Sequence, residues 1–327
     1  MNRFWKDVGI AFTMGFIIPG VLLGTAVSFA EYRSDIPILT ESIMITEPEH
    51  EAAKQNTIIS VLDENGGITH LQLHDYLTAV LLAEIPVSFE EEALKAQSVV
   101  ARTYTMRALS GTGKHAEANL CTNSACCQGY IEPENYLIKG GTQENVQKIS
   151  KIVQSTDGQV LTYDGELIEA TYFSCSGGAT EDAVAVWGTD VPYLKSVISP
   201  GEEHATHYTD SVCFSADDFA ERIGVELSGA PVQWFSAVTY TNGGGVESMT
   251  IGGMVFTGTQ LRKMLDLRST AFTVTVQEDL ITIVTRGYGH RVGMSQYGAD
   301  AMAASGCTYP EILAYYYQGT ELTDCRD

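Results

Sequence analysis

Glu84 is the residue whose setting most suggests chemistry. It lies in Leu81-Leu82-Ala83-Glu84-Ile85-Pro86, where apolar neighbours disfavour its ionised form and move its pKa towards the range of a general acid. It is the only acid on that apolar stripe, whereas hydrolytic glycosidases use two opposed carboxylates. A lone carboxyl suits a route in which a hydroxyl of the substrate itself attacks the anomeric carbon, so that one residue serves as acid and then as base. A core glutamate hydrogen-bonded to backbone or paired with Arg102 is the competing reading.

His115, Cys121 and Cys127 stand six residues apart in turn. One imidazole and two thiolates form a Zn²⁺ set with a fourth position open to water, substrate or another side chain. Cys126 adjoins Cys127 and is the alternative ligand, and a disulfide through Cys121 is the alternative to metal. The chain has seven cysteines, so disulfides alone leave at least one thiol over. A zinc hydrolase is a further reading, but no His-Glu-x-x-His pattern accompanies these residues.

Two loops are built for ligand contact. Tyr172-Phe173-Ser174-Cys175-Ser176-Gly177-Gly178-Ala179-Thr180-Glu181 sets aromatic rings beside small hydroxyls, suited to sugar faces and their hydroxyl groups. Residues 287–299 gather glycines with His290, Arg291, Gln296 and Tyr297 just ahead of a helical pattern. Glycine richness alone equally describes a structural turn.

The elements that must position these groups are mixed. Two β-rich runs, Thr57 to Leu62 and Ile68 to Leu73, flank Asn65-Gly66, a hairpin turn signal. A helix follows, capped by Asp75, with Leu77, Val80, Leu81 and Glu84 on one stripe. A second helix is expected beyond Pro86, with Ser88 as N-cap and Glu91 as its capping-box partner, running to about Leu109 and carrying Lys95 and Arg102 on one face. Glu90, Glu91 and Glu92 then complement its dipole. A polar helix ends near Val153. Alternating runs at Phe272 to Val276 and Ile281 to Thr285 read as strands, and helix resumes near Ser295. With no βαβ rhythm and no repeat, the fold class is α+β: two-lobed, helices mixed with antiparallel hairpins around a substrate cleft.

The formal charge of −22 is opposite to what phosphate neutralisation requires and excludes nucleic acid as the natural partner. Val8 to Ala30 carries no charge, with Arg3 and Lys6 before it and Glu31 and Asp35 after. This predicts a transmembrane helix within residues 1–30, N-terminus inside, the rest outside the cytoplasm. A signal peptide cleaved after Ser28-Phe29-Ala30 is the alternative. Residues 31–56 read as a stalk or linker, and residues 57–327 as the catalytic domain.

Together these segments resemble the stage II sporulation protein D family. Its pattern appears as Glu84-Ile85-Pro86, Glu92-Ala93-Leu94-Lys95-Ala96-Gln97 and Ala101-Arg102-Thr103-Tyr104, then Tyr172 to Glu181, Val186-Trp187-Gly188, and the glycine-rich stretch ending at Ala299. The resemblance implies a peptidoglycan lytic transglycosylase that cuts between N-acetylmuramic acid and N-acetylglucosamine, leaving a 1,6-anhydromuramyl end, during forespore engulfment. It implies Glu84 as acid and base, and a cleft holding Arg102, Tyr172, Ser174, Ser176, His290, Gln296 and Tyr297. By similarity to clostridial members it implies Zn²⁺ on His115, Cys121 and Cys127. It also implies a mother-cell membrane location, peptide-stripped glycan as substrate, and a membrane-anchored amidase among the partners. The same domain occurs in amidase enhancers, so a non-catalytic glycan-binding module is the alternative. Arg291 departs from the expected small or neutral residue and would add positive charge near stem-peptide carboxylates.

Overall fold

A computed structural model of the chain describes residues 57–326. The expected membrane span and stalk lie outside the described residues, among which no helix is long and apolar enough to cross a membrane. The fold is α+β, with mostly antiparallel sheets.

The N-terminal hairpin forms as its turn signal requires. Strands β1 (Ile58–Leu62) and β2 (Ile68–Gln72) pair antiparallel, and Gly66 takes a left-handed φ of 84°. The short strand β3 (Leu120–Cys121) joins parallel to β1, with Leu62 opposite Cys121. The hairpin runs directly into helix α1 (Leu73–Glu84). That helix starts two residues ahead of Asp75, which sits in the first turn with Gln72 at the cap position. Pro86 fixes where it ends. A residue before proline is pushed out of the helical region, and Ile85 is extended (φ −127°, ψ 137°), so Glu84 is the last helical residue.

Helix α2 (Glu91–Arg107) begins later than its capping signal suggested. Pro86 to Phe89 instead closes a turn in which the Phe89 amide donates to the Pro86 carbonyl (3.0 Å), leaving Ser88 outside the helix and Glu90 at the cap without a side-chain bond. Glu91 and Glu92 do occupy the first turn, where both pair with Lys95 at 2.8 Å.

Helix α2 separates two hydrophobic cores. Ala93, Ala96, Val99 and Val100 face one, built with Leu161, Met294, Ile312 and Tyr316; Leu94 and Ala101 face the other, with Tyr76, Leu77, Leu81 and Ile149. A third core, around Phe219, Trp234, Ile251 and Ile283, belongs to a β-rich region within residues 209–286. Its strands Thr209–Ser215, Phe272–Gln277 and Leu280–Arg286 form one antiparallel sheet, and Phe235–Tyr240, Val246–Ile251 and Met254–Thr257 another. Three hydrophobic cores are therefore present within one compact unit, Ala53–Asp327, two of them astride α2.

The two ligand-contact loops meet because their chains pair. Met294 and Ser295 run parallel to Tyr172 and Phe173, and bridges join Cys175 to Tyr288 and Glu181 to Val292. Residues over 100 positions apart thereby form one wall.

Candidate active site and metal cluster

A cavity of about 1110 Å³ lies between the end of α1 and that wall. Glu84, Tyr130, Tyr172, Ser174, Trp187, Tyr288, His290 and Gln296 are among its lining residues, with Lys114 and Lys139 as cations. Glu84 is half-buried, at the C-terminal end of α1. Burial raises its pKa above the ordinary carboxyl value, against the lowering effect of the Gly129 amide, which donates to it, and of the nearby Tyr172 hydroxyl. The C-terminal end of the helix, where the dipole opposes negative charge, acts in the raising direction too. The carboxyl is therefore held by the Gly129 amide and faced by the Tyr172 hydroxyl, yet biased towards its protonated form.

Tyr172 links this carboxyl to a buried relay. Its hydroxyl faces Glu84 and donates to Gln128 Oε1 at 3.3 Å, while the Gln128 amide donates to Tyr76 (3.3 Å) and Thr105 (3.1 Å). His290 sits in the same wall, its ring against Phe173 and Trp187 at 5.6 and 5.5 Å. Burial, helped by the charge of Arg262, pushes its pKa down to about 4, so the ring is neutral at physiological pH. Nδ1 accepts from the Val292 amide at 3.1 Å. Gln296 is 5 % exposed, and its Nε2 has no hydrogen-bond partner. A buried donor left free in a cleft wall is a group waiting for a ligand acceptor or water.

His115, Cys121, Cys126 and Cys127 form a cluster at one end of the cleft, their donor atoms all within 4.8 Å of one another. His115 Nε2 is 3.4 Å from Cys127 Sγ and 3.6 Å from Cys126 Sγ. The two sulfurs are 3.9 Å apart, too far for a disulfide, and all seven cysteines are free thiols. Burial and the neighbouring thiols push the Cys127 thiol up to about 12, so a dication is what would allow such a group to ionise. Metal–sulfur bonds of about 2.3 Å and metal–nitrogen bonds of about 2.0–2.1 Å in a tetrahedron imply S–S and S–N separations of roughly 3.8 and 3.6 Å. The His115, Cys126 and Cys127 separations fit that requirement, and the Cys121 sulfur lies within 4.8 Å of all three.

A family model described as Stage II sporulation protein matches residues 63–163. Stage II sporulation protein D of Bacillus subtilis is 38% identical over 265 residues, covering 80% of this chain and 77% of that protein. The chain belongs to the stage II sporulation protein D family. The Bacillus amyloliquefaciens protein of the same name is 36% identical over 264 residues, covering 80% of this chain and 76% of its own length. An amidase enhancer of B. subtilis is 31% identical over 76% of this chain but only 40% of its own length. Membership makes this a sporulation protein.

Of the residues expected in the cleft, Tyr172, Ser174, His290 and Gln296 line it with Glu84. Three do not. Arg102 is 1% exposed, and its guanidinium donates to the carbonyls of Thr156 (2.6 Å) and Val153 (2.9 Å), satisfying the end of helix Gln143–Ser155. Ser176 is buried and donates to Glu202 Oε2 at 2.8 Å. Tyr297 packs edge-on against Phe89 and His204 at 4.9 and 5.5 Å. Arg291 is likewise no surface charge. It pairs with Glu181 at 2.9 Å, both side chains 1% exposed, and donates to the carbonyls of Ser176, Ala179 and Gly243. Sequence reasoning missed Gly129, Tyr130, Trp187 and Tyr288 as cleft residues. Trp187 and Tyr288, aromatics inside segments that carry the family pattern, offered a signal that could have been used.

Proposed function

We propose that this protein is a peptidoglycan lytic transglycosylase in which Glu84 is the single acid and base. The observation that carries this reading is a half-buried carboxyl with raised pKa, held by Gly129 and Tyr172, while the other carboxylates lining the cleft, Glu64 and Glu169, are exposed. Protonated Glu84 gives its proton to the glycosidic oxygen between N-acetylmuramic acid and N-acetylglucosamine as the C–O bond breaks. The resulting carboxylate then takes the proton of the muramyl 6-hydroxyl as that oxygen bonds to the anomeric carbon. One proton enters and one returns, no water is consumed, and the product is a 1,6-anhydromuramyl end.

Tyr172 and Gly129 orient the carboxyl, and neutral His290 supports Trp187, whose 43% exposed ring offers a stacking face to a sugar. Gln296 Nε2 and Ser174 supply hydrogen-bonding groups for hydroxyl or acetamido groups. Lys114 and Lys139 offer positive charge to lactyl carboxylates in an otherwise acidic chain. His115, Cys121 and Cys127 hold Zn²⁺, which supplies a fixed cation that keeps the cysteine loop folded beside the cleft. Residues 1–30 anchor the protein in the mother-cell membrane, with the domain outside and a membrane-anchored amidase supplying peptide-stripped strands.

The likeness to an amidase enhancer favours a second reading, a module that binds glycan without cutting it. Full-length protein incubated with amidase-treated peptidoglycan separates the two. Strands shortened by wild type but not by Glu84→Gln, with binding retained in both, support the enzyme. Strands bound and left intact by both, with amidase turnover raised, support the enhancer.

A further inference from the structure

We infer that Cys126 is a fourth ligand, alongside His115, Cys121 and Cys127, and that the site it closes is the clamp holding Gly129 on Glu84. The inference rests on the metal reading above, but not on the transglycosylase reaction. A tight turn supplies the geometry. The amides of Cys126 and Cys127 both donate to the Asn123 carbonyl, at 3.0 and 2.8 Å, while Asn123 Oδ1 accepts from Ala125 at 2.8 Å. This turn brings two consecutive thiols to the same imidazole nitrogen, 3.6 and 3.4 Å away, so neither replaces the other. Cys121 comes from β3, whose pairing with β1 ties it to the hairpin. His115, Cys121 and Cys126 also line a second cavity of about 440 Å³ with Asp63 and Glu64, which gives a cation a route in.

Four protein ligands change the role of the metal. Three leave a position for water or a substrate oxygen, whereas a closed Cys₃His set is a structural one. What it would structure is specific. Between Cys127 and Gly129 stands one residue, Gln128, which is 1% exposed and bonded to Tyr76, Thr105 and Tyr172. Fixing Cys127 therefore fixes the amide that Gly129 presents to Glu84. Without metal, the turn from Asn123 to Cys127 keeps its backbone bonds, the Asn123 side-chain bond to Ala125 and the Lys114 bond to the Cys126 carbonyl, on a loop exposed at Asn123 to Ala125.

The test replaces the native ion with Co²⁺ in the full-length protein, since thiolate-to-cobalt charge transfer counts the sulfurs bound. Wild type is expected to give a tetrahedral three-thiolate spectrum, and Cys126→Ser to lose about one third of the charge-transfer intensity, one sulfur of three. Equal intensity in the two proteins overturns the fourth ligand. Failure of wild type to bind Co²⁺ or Zn²⁺ overturns the metal reading itself, a separately recognisable result. Amide hydrogen exchange tests the clamp. Gly129 should exchange at least tenfold faster after chelation, while the α2 core amides stay protected; an unchanged Gly129 rate in stripped protein overturns it.

Discussion

Replacing Gly129 with alanine perturbs the Glu84 carboxyl while leaving every side chain in the cleft unchanged. A Cβ at this position would lie 2.8 Å from Glu84 Oε1 and 3.1 Å from its Cδ, inside van der Waals contact by more than half an ångström. Gly129 is not among the residues with positive φ, so alanine strains no backbone torsion, and the carboxyl must give way. The Gly129 amide is a hydrogen bond to a charged or chargeable group, worth about 1.5–3 kcal/mol. Losing its alignment predicts a fall in kcat/KM of about 10- to 100-fold, in the range expected when a reacting group is misplaced by a fraction of an ångström. Because this donor lowers the Glu84 pKa, the basic limb of the pH–rate profile should also move upward. Strand-length analysis of amidase-treated peptidoglycan over a pH series measures both effects, with thermal melting as the check on folding. A Gly129→Ala protein with wild-type rate and profile would refute the view that this amide positions the carboxyl.

Arg291→Met should cost about 3–5 kcal/mol by stranding buried Glu181, and lower Tm by about 10 °C or more, whereas Lys195→Ala at an exposed ion pair should shift it little; calorimetry decides between them. Glu84→Gln should stabilise the protein at neutral pH. The folded pKa of Glu84 lies above the ordinary 4.5, so the stability its protonated form contributes is present below 4.5 and lost as pH rises through the folded value. The gain in Tm should therefore vanish in acid, and a pH-independent gain would contradict it. Trp187→Ala should weaken glycan binding by ~1 kcal/mol, roughly fivefold, without unfolding, as titration calorimetry would show; equal affinity would remove Trp187 from the glycan site.

Local signals carried the parts of this fold that local physics decides. Asn65-Gly66 gave the hairpin, Pro86 the end of α1, and alternation at Phe272 to Val276 and Ile281 to Thr285 a strand pair. Ser88 carried a capping signal that the turn at Pro86 to Phe89 overrode. The arginines misled for a different reason. Arg102 bonds carbonyls 51 to 57 positions away, and Arg291 carbonyls as far as 115 positions away, so nothing near either residue announces that its charge is buried. His115, Cys121 and Cys127, six residues apart in turn, do converge, and Cys126, which the sequence offers only as a substitute for Cys127, converges with them. The Gly129 contact is made by backbone, which side-chain types do not encode.

In the proposed reaction Glu84 alone, without an activated water, breaks the glycan chain. Mass spectrometry of the ends released from amidase-treated peptidoglycan by the full-length protein and by Glu84→Gln tests it most directly. Muramyl ends lighter by one water than hydrolysed ends are expected, absent with Glu84→Gln. Ordinary reducing ends that depend on Glu84 would contradict it, because they require a water and a second group to activate it.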